Sequence, residues 1–218
     1  MNDKNLPEKK GKRDKTKRTE QILKAAKTVI LSKGFSGATM DDIALEAGIT
    51  KPTVYQYFKT KDELFLMLLE PLIRSIALQI TIIKKRLQKN YYSSGKDLIS
   101  DIFLIFFQIF ETDPDRFKLL SIFLQTDMFY HMDYESAESL KSWGRICFEE
   151  GHTISSICVE KGFFKDIDVY KTTDFIWGSF WGIVQVEQYK AKGEPISKHM
   201  IPMLEYTKNL LIEAFVIK

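Results

Sequence analysis

The chain is poor in the residues from which catalytic and metal sites are usually built. Its 218 residues include two cysteines and three histidines. Cys147 and Cys158 have no CxxC spacing, so neither a disulfide framework nor a zinc site is indicated. His131, His152 and His199 are scattered, and neither an HExxH motif nor a glycine-rich phosphate loop occurs. Glu149 and Glu150 are adjacent on a predicted helix, so their carboxylates diverge instead of meeting on one substrate. No cofactor and no metal are expected. Long apolar runs are also missing, because Gln, Asp, Lys or Glu interrupts each one well short of the ~20 residues of a membrane span. The first eighteen residues are polar and basic, unlike a secretory leader, so the cytoplasm is the expected compartment. Period-2 strand patterning is absent as well, which leaves helices.

What is present is a substantial core-forming fraction, 44% hydrophobic and 13% aromatic, enough for one large domain or a small domain with a larger one. Charge is unevenly spread. Residues 1–61 carry 14 Lys and Arg against 7 Asp and Glu, a net +7, whereas the rest carries 18 against 22, a net −4. A basic head on a mildly acidic body points to a polyanionic partner. The alternative is a solvated basic tail, since Met1–Arg18 alone holds 8 basic and 3 acidic residues.

Residues 1–16, with Pro7 and Gly11, read as a flexible basic arm. From Lys17, the apolar positions Ile22, Ala26, Val29 and Ile30 recur on one helix face until Gly34. Thr39 is a good N-cap for a second helix, Met40–Ala47, ended by Gly48. Thr50 caps a third, Lys51–Phe58, in which Pro52 falls in the first turn and needs no hydrogen-bond partner. Thr60-Lys61-Asp62-Glu63 has the form of a capping box. It opens a fourth helix, Lys61–Gln88, which Pro71 should bend. Five further amphipathic helices are expected over Gly95–Glu111, Pro114–Tyr130, Tyr134–Lys161, Val169–Lys192 and Ser197–Ile217. The expected architecture is all-α with about nine helices: a head over residues 17–64 and a helical bundle over residues 65–218.

Three short helices, the last two joined at Gly48-Ile49, describe a helix-turn-helix. Val54 and Phe58, four apart, should face inward with Ile49, leaving Thr53, Tyr55, Gln56 and Tyr57 on outward or flanking faces. Such a helix can enter the DNA major groove, which presents a distinct hydrogen-bond pattern for each base pair. Thr39-Met40-Asp41-Asp42-Ile43-Ala44, Ala47-Gly48-Ile49-Thr50 and the run Lys51–Lys61, KPTVYQYFKTK, resemble the DNA-binding signature of the tetracycline-repressor (TetR) family. The resemblance is ungapped from about Thr19 to Leu64, roughly a fifth of the chain, while the later helices resemble that family in number, length and order only. It implies an all-α homodimer on a palindromic operator of double-stranded DNA, usually released when a small molecule enters the C-terminal domain. Carried onto this sequence, phosphate contacts fall on Thr39, Tyr55, Tyr57 and Lys61, and base contacts on Lys51, Pro52, Thr53 and Gln56.

Residues 95–190 are dense in large rings, most of which must be core. The resemblance nevertheless implies a ligand cavity, with Phe107, Trp143 and Trp177 as candidate lining and an apolar or aromatic effector. It also assigns dimerisation to the last two long helices, Tyr170–Tyr189 and Met203–Phe215, where Gly178, Ser179 and Gly182 would allow close approach; an internal helix crossing is the alternative. The overall expectation is a ligand-released transcriptional repressor. A ligand-independent regulator or activator is the second reading, and a helical enzyme the third.

Overall fold

A computed structural model of the chain describes residues 6–125, 134–191 and 198–217. Among them are nine helices: α1 (Leu6–Gly37), α2 (Met40–Glu46), α3 (Lys51–Tyr55), α4 (Lys61–Gln88), α5 (Gly95–Thr112), α6 (Pro114–Gln125), α7 (Tyr134–Glu160), α8 (Val169–Lys190) and α9 (Met200–Phe215). No strand forms among the described residues; one isolated bridge pairs Phe164 with Val216. The last residues of the expected helices Pro114–Tyr130 and Val169–Lys192, the first of Ser197–Ile217, His131 and the first five residues of the expected arm lie outside the described residues.

The arm and the third helix depart most from the sequence expectation, while α8 stops at Lys190 and α9 runs only from Met200 to Phe215. The arm is helical from Leu6 onward, continuous with the first helix of the head. Pro7 sits in the first turn, where its missing N–H costs nothing, and Asp14 with Arg18 has the i,i+4 acid-before-base order that supports a helix. At the other end Gly34 does break α1: its φ of 72° and ψ of 167° interrupt the helix before a last turn to Gly37. The third helix is shorter than expected. It closes at Tyr55, and a tight turn, with the N–H of Tyr57 and Phe58 both donating to the Val54 carbonyl, carries the chain to Phe58.

The chain divides into two compact units. The first takes in residues 1–71 with 118–138, and the second 72–117 with 139–218. In the first unit Ile22, Ala26, Val29 and Ile30 of α1, Ile43 and Ala44 of α2, and Val54 and Phe58 around α3 are buried, as the helical spacing requires. Leu64, Phe65, Leu68 and Leu69 of α4 extend that core, and the Phe65 ring lies 4.9 Å from Phe35 and 6.4 Å from Phe123. In the second unit, Leu72, Ile76, Ile80 and Ile83 of α4 are buried, and rings from α5, α6 and α8 interlock, with Phe106 to Phe180 at 5.4 Å and Phe117 to Trp181 at 5.5 Å.

Helix α4 is long and apolar enough by composition to cross a membrane. Most of its apolar residues line the cores of the two units, while Met67, Leu78 and Ile82 are exposed. Pro71, at the division, stays within the helix. Pro71 and Met67, whose carbonyl would have received the missing hydrogen bond, are both exposed, so water can occupy the gap.

Cys147 and Cys158 are free and buried, and burial pushes both thiols up to about 12. At pH 8 only about one thiol in 10⁴ is ionised, and the thiolate is the reactive form. Native protein should therefore release almost no colour from a thiol-exchange reagent such as Ellman's at pH 8, and two equivalents in denaturant. Rapid reaction of either thiol under native conditions would contradict its burial.

Candidate nucleic-acid interface

The head is assembled by short-range polar bonds that the residue types dictate. The Thr39 hydroxyl accepts from the Asp42 N–H at 3.1 Å, while the Asp42 carboxylate accepts from the Thr39 N–H at 3.1 Å, a reciprocal box that starts α2. Lys33 also donates to Asp42 at 2.7 Å. That bond first, and then the two from Thr39, hold the Asp42 carboxyl down at about 2. Because the folded value is depressed, the stability it contributes is complete above the usual 3.8 and is lost only as pH falls towards 2. The helix ends at Gly48, whose φ of 64° lets its own N–H reach Leu45 and the Ile49 N–H reach Ala44. The Gln21 amide donates to the Ala47 carbonyl at 2.6 Å, tying α1 to this turn.

That turn sets α3 with Val54 and Phe58 fully buried and the opposite side open. Lys51, Pro52 and Gln56 are exposed, Tyr55 is 45% exposed, and Thr53 and Tyr57 are half-buried. The inward–outward division expected for Val54, Phe58, Tyr55 and Gln56 therefore holds, with Ile49 half-buried at the turn. The cap of α3 differs from expectation. Thr50 takes the N-cap backbone geometry, but its hydroxyl meets the Thr53 hydroxyl at 2.8 Å instead of a backbone N–H. At the start of α4, Thr60 accepts from the Glu63 N–H, whereas the Glu63 carboxylate reaches one residue further back, to the Lys59 N–H at 2.7 Å.

Two candidate cations are already engaged. Lys61 Nζ donates to the carbonyls of Phe35 at 2.6 Å and Ala38 at 2.8 Å, and stands 4.3 Å from the Phe35 ring centroid. It holds the chain leaving α1, and keeps one of its three donors for a phosphate. Lys51 Nζ lies 2.7 Å from a carboxylate oxygen of Asp41. Sequence spacing revealed neither contact, since the partners are 10 to 26 residues apart across turns.

In the second unit the three candidate ligand-lining residues do not come together. Trp177 borders a cavity of only about 50 Å³, walled by Ile80, Ile83, Phe106 and Ile154 among others. A buried hydrogen bond of 2.8 Å between the Ser155 and Thr173 hydroxyls supplies its polar spot. Phe107 instead lines a separate groove of about 270 Å³ between α5 and α9. Trp143 borders neither space and packs under the Arg74 guanidinium, 5.5 Å from the ring centroid.

On α8, Phe175, Gly178, Gly182, Val186 and Tyr189 recur at helical spacing and all are exposed. A Cβ built on Gly178 or Gly182 would meet nothing within 4 Å, so this stripe is not an internal helix crossing. Tyr206, Leu210 and Ile217 continue the exposed apolar surface on and just beyond α9.

Comparison with known proteins follows this geometry. Residues 22–68 match the family described as bacterial regulatory proteins, tetR family. The uncharacterised HTH-type transcriptional regulator YfiR of Bacillus subtilis (strain 168) is 44% identical over 59 residues, 27% of this chain and 29% of YfiR, so the match spans under a third of that relative. Among solved structures, the TetR-family transcriptional regulator PfmR of Thermus thermophilus superimposes with a TM-score of 0.70 at 16% identity, covering 88% of this chain and 97% of PfmR. FadR of Bacillus subtilis in complex with stearoyl-CoA gives a TM-score of 0.66 at 17% identity, covering 88% and 97%. At such identities the structural likeness speaks for the fold, and the helix-turn-helix match for the lineage. Residues 22–68 thus match the helix-turn-helix of the tetR family of bacterial regulatory proteins, and the fold is similar to that of solved TetR-family regulators.

Proposed function

We propose that the protein is a sequence-specific DNA-binding transcriptional regulator, acting in the cytoplasm as a homodimer on a palindromic operator. The observation that carries this reading is α3 itself. Its buried side is fixed by Val54 and Phe58, and its exposed side offers Lys51, Pro52, Tyr55 and Gln56, the residue types that bond base edges and phosphates. Thr39, Tyr55, Tyr57 and the remaining donor of Lys61 supply phosphate contacts. Lys51, Pro52, Thr53 and Gln56 face the bases, with the Thr53 hydroxyl shared with Thr50. The exposed stripes of α8 and α9 supply the two-fold contact that sets two recognition helices about one DNA turn apart. Family and relatives are transcriptional regulators, which sets the helical-enzyme alternative aside.

The test is selection from a random duplex library. Wild-type protein should enrich a two-fold symmetric site, and Gln56→Ala should lose preference at one base pair per half-site, a discrimination of about 1–3 kcal/mol. An unchanged site for the variant would remove Gln56 from base readout. No enrichment by the wild type would remove the DNA-binding reading.

Release by a small apolar effector makes the protein a repressor. FadR, one of the structures it resembles, binds stearoyl-CoA, which supports a lipid-like effector. The cavity beside Trp177, about 50 Å³, is far below the ~300–1,000 Å³ of a ligand pocket, and the groove at Phe107, about 270 Å³, only approaches it, so an effector seated beside Trp177 would bind an expanded arrangement of these helices in preference to this one. That preference is what a release mechanism needs. The same small volume also favours the second reading, a regulator or activator without a ligand. Adding long-chain acyl-CoA to the preformed complex separates the two: dissociation supports release, and retention at saturation supports ligand-independent binding.

A further inference from the structure

We propose that Asp41 is a positioning residue for Lys51, holding its ammonium ready for a base edge while cancelling its charge towards phosphate. This rests on the DNA-binding reading above and adds to it a residue that sets specificity. Lys51 is the first residue of α3, and its Nζ lies 2.7 Å from Asp41 Oδ2 on α2. The two acids at the start of α2 have separate tasks. Asp42 makes the helix cap and binds Lys33, whereas Asp41, with 65% of its side chain exposed, binds Lys51. An exposed pair of this kind contributes little to stability, so the fold gains little from it.

For DNA binding the pair matters more. A free lysine would attract any phosphate, adding affinity without regard to sequence. With a carboxylate beside it, the same lysine offers a neutralised site that an approaching phosphate meets as partly repulsive, which counts against non-specific register. Lys51 keeps two N–H donors, enough for the O6 and N7 acceptors of a guanine. The tether also biases a side chain with four rotatable bonds before binding, trimming the ordering cost that recognition would otherwise carry. The Asp41 hydrogen bond raises the Lys51 pKa, so the ammonium stays charged throughout.

The experiment uses full-length wild type, Asp41→Asn, Lys51→Ala and the double variant. Each is titrated with the site that the wild type selects and with random duplex of equal length, at several salt concentrations. Asp41→Asn should bind random duplex more tightly, with a salt slope steeper by about 0.9, the contribution of one freed cation. Its ratio of selected-site to random affinity should fall about five- to tenfold, the lower range for one base contact. In the Lys51→Ala background the Asp41→Asn change should leave that ratio unaltered, and melting temperatures should match the wild type throughout. An unchanged ratio in Asp41→Asn, or an equal fall without Lys51, would overturn the proposal. If the wild type selects no site, the DNA-binding reading itself fails and this inference falls with it.

Discussion

Gly182→Arg should leave each subunit folded and cut operator affinity by about 10²- to 10⁴-fold. The residue lies on the exposed stripe of α8, where an added Cβ meets no heavy atom within 4 Å. It is helical, so arginine should favour the helix over glycine by somewhat less than the ~0.8–1 kcal/mol that separates glycine from alanine. The isolated subunit therefore has no reason to unfold. A second copy docked on Phe175, Gly178 and Val186 would instead meet a long charged side chain where two backbones must approach. Losing the dimer turns binding of the second half-site from an intramolecular into a bimolecular event, which is the source of the stated factor. Sedimentation should give a particle near the 25.4 kDa of one chain, with wild-type helicity and weak, half-site-like DNA binding. A variant that remains dimeric and binds normally would move the interface away from α8.

Phe58→Ala should remove DNA binding by a different route. Phe58 is fully buried and sits at the end of the turn that follows α3, one helical step from Val54. Truncating a buried phenylalanine costs ~3–5 kcal/mol, combining lost transfer free energy with the cavity left behind. Domains hold about 5–15 kcal/mol in total, so this loss removes a large part of the margin and the head should open far more often. Amide exchange should accelerate across α1 to α3 while the core of the second unit keeps its protection. The dimer should survive, which distinguishes this loss from that of Gly182→Arg. Wild-type affinity for the selected operator would show that Phe58 does not hold the recognition helix.

Local chemistry made much of the head legible in advance. Thr39, Gly48 and the Val54/Phe58 pair each act over four residues or fewer, and each does in the structure what its residue type requires. Contacts across the fold were not legible. The Lys61 side chain turns back to carbonyls 23 and 26 residues earlier, and Lys51 crosses a turn to Asp41; helical periodicity carries no record of either. The extent of the head was also obscured. Apolar spacing in α4 runs on unchanged through Pro71, although the core it serves changes there. In the bundle, ring-rich stretches could not separate Trp177, beside a cavity, from Trp143, packed under Arg74. Periodicity tells which rings face inward and not which of them leave a gap.

Helix α4 has a consequence for how this protein could have been assembled in evolution. Its 28 residues are continuous helix, and Leu69 and Leu72, one turn apart, belong to different cores. A splice after Leu64, where the recognition motif ends, would strip Phe65, Leu68 and Leu69 from the core that steadies the reading helix. The DNA-reading end is thus not a cassette that recombination can move intact at its motif boundary. Exchange between relatives should disturb the cores least beside Pro71, with residues 118–125 of α6 moving together with the head. Lineages of such regulators should accordingly diverge by substitution in place more readily than by shuffling heads among bodies.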